Sequence, residues 1–204
     1  MITIRHIDRL FSDHQHRRLY RELITGRPEA TFALEPLLAR VVPIAALGMI
    51  RLDELNQSAS SIYRRLLNVV LKSQQADGGW GDPMITAVCV RGLLCGGGDG
   101  CVVARGLGYL ASLQQPKGSW PREPLRRMPS DAFASAFILL QLGDRELFRG
   151  AVRFDDAIAW FTEAENAKHL DAESRRLWSH AALRCRAAAH DPVPPLLRAA
   201  RSAA

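Results

Sequence analysis

The stretch VLKSQQADGGWG at residues 70–81 decides how this chain reads, because LASLQQPKGSWP at residues 110–121 repeats it. Gln74 stands six positions before Trp80, and Gln114 stands six before Trp120. A Gly precedes each Trp by two positions, at Gly78 and Gly118. The two copies lie about 40 residues apart, a solenoid-type period. In each copy an apolar helical run ends at the Gln. Gly78 can take positive φ and release the chain into a turn. The indole covers that turn, and Asp82 followed by Pro83 supplies a cap and a first-turn residue for the next helix. A Gln at a helix end can satisfy backbone groups that a neighbouring hairpin leaves open, and a Trp can shield those bonds from water. Gln74, Trp80, Gln114 and Trp120 are therefore expected to be structural staples.

Outward from this pair, the chain reads as helix after helix. Residues 17–25, RRLYRELIT, form a short amphipathic pattern closed by Gly26 and Pro28. Residues 30–40 and 44–55 read as two further helices separated at Pro43. Ser58, Ser60 and Ser61 offer caps for a helix running to Gln75. A helix over 83–94 ends at the unambiguous breaker CGGGDG, residues 95–100. Residues 102–114 lead into the second turn, and a polar, basic loop at 121–129 delays a helix over 130–142, capped by Ser130 or Asp131. The remainder is a worn third copy, with Trp160-Phe161 matching Tyr109-Leu110 and Glu165 where Gln114 would stand. A last helix starts at Asp171 and runs to about Cys185 before Pro192, Pro194 and Pro195. About ten helices and no strand make the fold class all-α. The whole reads as one repeat domain over 1–204: degenerate helices at 1–57, clear repeats at 58–143 and a degenerate repeat at 144–204.

The second copy carries Gly106, Tyr109, Leu110, Gln114, Gly118 and Trp120. That pattern resembles the QW repeat of squalene and terpene cyclases, and DGGWG in the first copy is similar to the repeats of protein prenyltransferase β-subunits. The resemblance implies an α/α toroid of helical hairpins, with Gln and Trp pairs tying adjacent outer helices together. This chain has fewer hairpins than those toroids need. An open arc, a reduced barrel, or half of an assembly completed by a partner remain as alternatives.

The resemblance also implies where chemistry would sit. Helices leaving the QW turns would line a cavity, which selects those starting near Pro83, Ser130 and Ala172. Cyclases of this type carry an Asp-rich acid motif there, and only Asp131 of it survives. A lone carboxylate at a helix N-terminus is held ionised by the dipole, so Asp131 reads first as a cap and second as a catalytic acid. Asp155-Asp156 lacks the third carboxylate of a diphosphate-binding cluster and reads as first-turn acids. Asp99, Cys101 and His180 are similar in type to a prenyltransferase zinc set, but Asp99 precedes the wrong helix. No metal and no cofactor are expected, and His180 stays as a candidate catalytic residue. Met84, Phe133, Phe137 and Trp178 are the candidate ligand-binding residues, since aromatic faces can hold an isoprenoid chain; otherwise they fill a core.

With 204 residues the chain can bury one good-sized core. Its 27 Lys and Arg against 21 Asp and Glu give a net charge of +6. The Arg pairs at 17–18, 64–65, 126–127 and 175–176 read as solvated helix faces. No interleaving of aromatic and basic residues suits a nucleic acid. The four Cys show no paired spacing, which argues against zinc and a disulfide framework and fits a reducing cytoplasm. No apolar run is long enough to span a bilayer, leaving at most peripheral membrane contact. The expected function is binding of a hydrophobic isoprenoid-type ligand by a divergent cyclase-like or prenyltransferase-like domain without a complete catalytic motif. The alternative is a non-catalytic scaffold that presents a concave face to a protein partner or a second copy.

Overall fold

The structure, a computed structural model, describes residues 34–121, 130–163, 168 and 170–190. The expected helix at 17–25, the loop at 122–129, Glu165 and the Pro-rich tail lie outside them. All regular structure among the described residues is helical: α1 Leu34–Glu54, α2 Ser61–Lys72, α3 Pro83–Cys95, α4 Gly100–Leu113, α5 Asp131–Leu142, α6 Glu146–Ala151, α7 Phe154–Thr162 and α8 Ala172–His190. None of these is long and apolar enough to cross a membrane. The chain divides into two compact units, Met1–Leu113 and Gln114–Ala204, so the boundary falls inside the second copy of the repeat motif.

In the first unit, α1 corrects the expected break at Pro43, which lies inside one continuous helix. An interior Pro costs a helix about 3 kcal/mol through its missing donor and its clash with the preceding turn. Val41, Val42, Ile44, Met49 and Ile50 are all buried around it. At about 2 kcal/mol for each such side chain, burial outweighs the break. α1 packs against α2 and α3. The approach to α3 is close, since a Cβ on Gly92 would stand 3.1 Å from the Ala46 carbonyl oxygen. α1 stops where Asn56 takes a φ of 57°, a conformation Asn tolerates better than most residues.

Ser60 caps α2, its hydroxyl accepting from the Tyr63 amide at 3.1 Å. Tyr63, Leu66 and Val70 form the buried stripe of α2 at helical spacing. By contrast α3 is buried nearly all round, from Pro83 and Met84 through Leu93. It packs also on α4, which buries only Val103, Gly106, Leu107 and Leu110.

The second unit has the same contrast. Every residue from Ala132 to Leu142 of α5 is buried. Against α5 lies α8, whose Ser174, Leu177, Ala181 and Cys185 are buried at helical spacing. Arg184 of α8 meets Asp144 at 2.7 Å. Arg149 of α6 donates to the carbonyls of Gly143 and Cys185 at 2.7 and 3.0 Å and lies over the Phe154 ring.

Candidate functional site

The repeat motif builds one hydrogen-bonded staple in each unit. In the first, Gln74 Nε2 donates to the carbonyls of Gly78 and Val102, both at 2.9 Å. One bond closes the turn, and the other grips the first turn of α4. Gly78, at φ +92°, is pressed so near α4 that a Cβ there would stand 2.6 Å from the Arg105 carbonyl oxygen. Trp80 is buried and donates from Nε1 to the Val70 carbonyl at 2.8 Å, an acceptor in the last turn of α2 that also takes the Ser73 amide. Its ring rests against Gly106 and would meet any larger residue there. The Trp80 amide donates to Thr86 Oγ1 at 3.0 Å, which ties the turn to α3.

In the second staple, Gln114 Nε2 donates to Gly118 O at 2.8 Å and to Arg153 O at 3.0 Å, and Gln114 Oε1 accepts from the Arg153 amide at 2.9 Å. Gly118, at φ +93°, abuts Asp156 and Ala157. The Trp120 amide donates to Ser135 Oγ at 2.7 Å. The same parts recur in the same roles. The Gln of each staple bonds the start of a later helix, α4 in one unit and α7 in the other.

That correspondence identifies α7 as the counterpart of α4. Val102 pairs with Arg153, and seven residues on Tyr109 pairs with Trp160, as the sequence match of Trp160-Phe161 to Tyr109-Leu110 requires. Leu110 and Phe161 are both buried at this register.

Thr86, Ser135 and Arg153 were not singled out from sequence. A hydroxyl within an otherwise apolar helix is the signal that would have found the first two. Arg153 has no such signal: its guanidinium fastens the turn through the carbonyls of Gln114 and Gln115 at 3.0 and 2.6 Å.

Of the candidate catalytic residues, Asp131 is engaged by a neighbouring side chain. Ser130, not Asp131, caps α5, its hydroxyl accepting from the Phe133 amide. Asp131 is half-buried in the first turn and accepts from Gln115 Nε2 at 3.3 Å. His180 is half-buried on α8 in the second unit, whereas Asp99 and Cys101 belong to the first. Asp99 accepts from the Cys101 amide at 2.8 Å as α4 begins. Among the described residues, no group of three or more His, Cys, Asp and Glu is placed to hold a metal ion.

Two other acids matter more than sequence suggested. Asp82 caps α3 by accepting from Met84 and Ile85 at 2.8 and 2.9 Å. It is only 2% exposed. Burial pushes its carboxyl up to about 6, against the downward pull of the Ile85 and Met84 amides. At Asp171, burial also acts upward, but hydrogen bonds from Ser174, Glu173 and Ser130 prevail and hold the carboxyl below its usual value.

The candidate ligand-binding residues separate into two groups. Met84, Phe133 and Phe137 are buried on α3 and α5, with Phe133 only 1% exposed. Trp178 is half-buried and stacks on Phe161, with ring centroids 4.3 Å apart and planes 8° from parallel. Trp160, also half-buried, meets Phe161 edge-on at 4.8 Å. No family model, curated protein or solved structure matches this chain.

Proposed function

We propose that this chain is a binding domain of the terpene cyclase and prenyltransferase type, one that keeps the repeat frame and holds a hydrophobic isoprenoid-type ligand without transforming it. One observation carries the reading: the carboxylates at the starts of the inner helices are engaged in holding those helices. Asp82 and Asp171 accept backbone amides at the caps, and Asp131 is bonded to Gln115. A strong acid for alkene protonation needs a neutral carboxyl sharpened by neighbouring carboxyls, whereas Asp131 accepts from the Gln115 amide. The ligand surface is the aromatic group of Trp160, Phe161 and Trp178, because the two tryptophans are half-exposed and offer flat apolar faces.

Native mass spectrometry of the purified protein with farnesol tests this directly. A one-to-one adduct that Trp178→Ala loses is expected. A cyclised or rearranged product from farnesol or squalene would refute binding without catalysis. The burial of Met84, Phe133 and Phe137 favours a second reading, a scaffold for a protein partner or a second copy of the chain. In that case no adduct forms and the same spectrum shows a dimer or a retained protein.

A further inference from the structure

We propose that Asp171 is the positioning residue of the aromatic site, fastening the start of α8 to the start of α5 and so holding Trp178 on Phe161; the inference rests on the reading of that group as the ligand surface. Asp171 immediately precedes α8. Its Oδ1 accepts from the Glu173 and Ser174 amides at 3.0 and 2.8 Å, an ordinary helix cap. Its Oδ2 makes bonds that a cap does not require. It accepts from Ser174 Oγ at 2.5 Å and from Ser130 Oγ at 3.4 Å, and the two hydroxyl oxygens lie 3.3 Å apart.

Ser130 is itself the cap of α5, accepting from the Phe133 amide at 3.2 Å. One carboxylate therefore joins the first turns of two helices, and it does so beside Ser174, which is fully buried. By contrast the bonds of Asp82 run to amides of its own helix. Burial acts upward on the Asp171 carboxyl, but hydrogen bonds from Ser174, Glu173 and Ser130 hold it below its usual value, so it is an ionised acceptor at neutral pH. Only the ionised form offers lone pairs on both oxygens to all of these donors at once.

The two rings of the stack are carried by helices fastened in different ways. Phe161 lies on α7, whose start Gln114 grips through Arg153. Trp178 lies on α8, four residues after Ser174 and so on the same side of the helix. Rings 8° from parallel with centroids 4.3 Å apart leave little slack. A shift of about 1 Å at the start of α8 carries Trp178 out of register with Phe161. Further along α8, the Arg184 ion pair with Asp144 and the burial of Leu177, Ala181 and Cys185 hold the helix in its unit without fixing its first turn. Releasing Asp171 thus loosens the aromatic face and leaves the fold in place.

The test reads the stack in the full chain without ligand. The near-ultraviolet circular dichroism of the unmodified protein, less that of Trp178→Leu, isolates the signal that depends on Trp178. Asp171→Ala is expected to lose that signal at unchanged far-ultraviolet circular dichroism. Asp171→Asn is expected to keep it, since a carboxamide still accepts the two amides and can donate to the serine oxygens. Ser60→Ala, which removes a cap in the first unit, should also keep it, so that loss of a cap alone does not account for the change. With farnesol added, the adduct should vanish in Asp171→Ala and persist in Asp171→Asn. Should Asp171→Ala lose its helix content, Ser174→Ala replaces it, sparing the amide bonds while removing one hydroxyl of the clasp, and a reduced signal is expected. An unchanged signal in whichever of these two folds, an equal loss in Asp171→Asn or Ser60→Ala, or a farnesol adduct retained by folded Asp171→Ala would each overturn the proposal. Absence of any adduct in the unmodified chain would sink the ligand reading by itself, because the stack is measured without ligand.

Discussion

Replacing Gln114 by Ala isolates what the staple contributes. The side chain makes three bonds, to Gly118 O, Arg153 O and the Arg153 amide. It is 7% exposed, so water cannot readily replace them. An intramolecular hydrogen bond contributes about 1 kcal/mol net, but a buried group left unpaired costs about 1–3 kcal/mol. Arg153 still holds the turn through its guanidinium, which limits how far the site can open. The expected loss for Gln114→Ala is therefore about 3 kcal/mol, less than the sum of three orphaned groups.

Gln74→Ala is the internal control. That side chain makes two bonds instead of three and is only half-buried, so about 2 kcal/mol is expected. Gln114→Glu sharpens the test, since a carboxylate keeps the shape but faces two carbonyl oxygens that need a donor; it should cost at least as much as Ala. Urea unfolding followed by far-UV circular dichroism reads all three through the midpoint at constant slope. If Gln114→Ala falls within about 0.5 kcal/mol of the unmodified protein, the level of an ordinary surface change, the staple is ornamental and the reasoning fails.

Trp80→Ala should cost about 4 kcal/mol as a large ring leaves a packed site, whereas Trp80→Phe should cost about 1 kcal/mol, since the Val70 carbonyl loses the indole but keeps the Ser73 amide; equal losses in thermal melts would refute the role of Nε1. Ser130→Ala should lose about 1 kcal/mol of cap energy and Asp131→Ala about half of that, the reverse of a cap at Asp131; chemical denaturation of both variants decides the order. Asp82 has a carboxyl at about 6 in the folded chain against an ordinary 3.8, so the folded state binds the proton more tightly. Its burden is absent below the lower value, grows as pH rises between them and is complete above the upper, amounting to about 3 kcal/mol less stability at neutral pH. Asp82→Asn should flatten that slope in urea titrations between pH 4 and about 6, and an unchanged slope would show that the carboxyl is not what titrates.

What was legible in the sequence was local. The Gln, Gly and Trp of each turn are set by bonds spanning only four residues, Gln74 to Gly78 and Gln114 to Gly118, so they keep fixed spacing. The cap at Asp82 was readable for the same reason, while those of α2 and α5 were readable only to within a few positions, at Ser60 among three serines and at Ser130 beside the Asp131 that reads first as the cap. The break expected at Pro43 failed because a propensity rule cannot weigh the five buried side chains around that residue. Nor could sequence show that Met84, Phe133 and Phe137 are enclosed while Trp178 is half-open, because burial depends on which helices pack together.

The third copy stayed faint for a geometric reason. Between the turns and the helices they grip, the two copies differ in length. Trp80 reaches its hydroxyl partner across six residues and Trp120 across fifteen. Gln74 reaches the helix it grips across 28 residues and Gln114 across 39. Insertions of this size sit in connections, where they cost little stability, since loop-closure entropy grows only slowly with length. They nonetheless erase the period by which a repeat is recognised. The contact survives them because it is made to backbone: Gln114 needs carbonyls and an amide, which Arg153 supplies as well as Val102 supplies one to Gln74. Side-chain identity at the gripped position is therefore free to drift. A copy can keep its place in the frame after losing nearly every residue that would announce it.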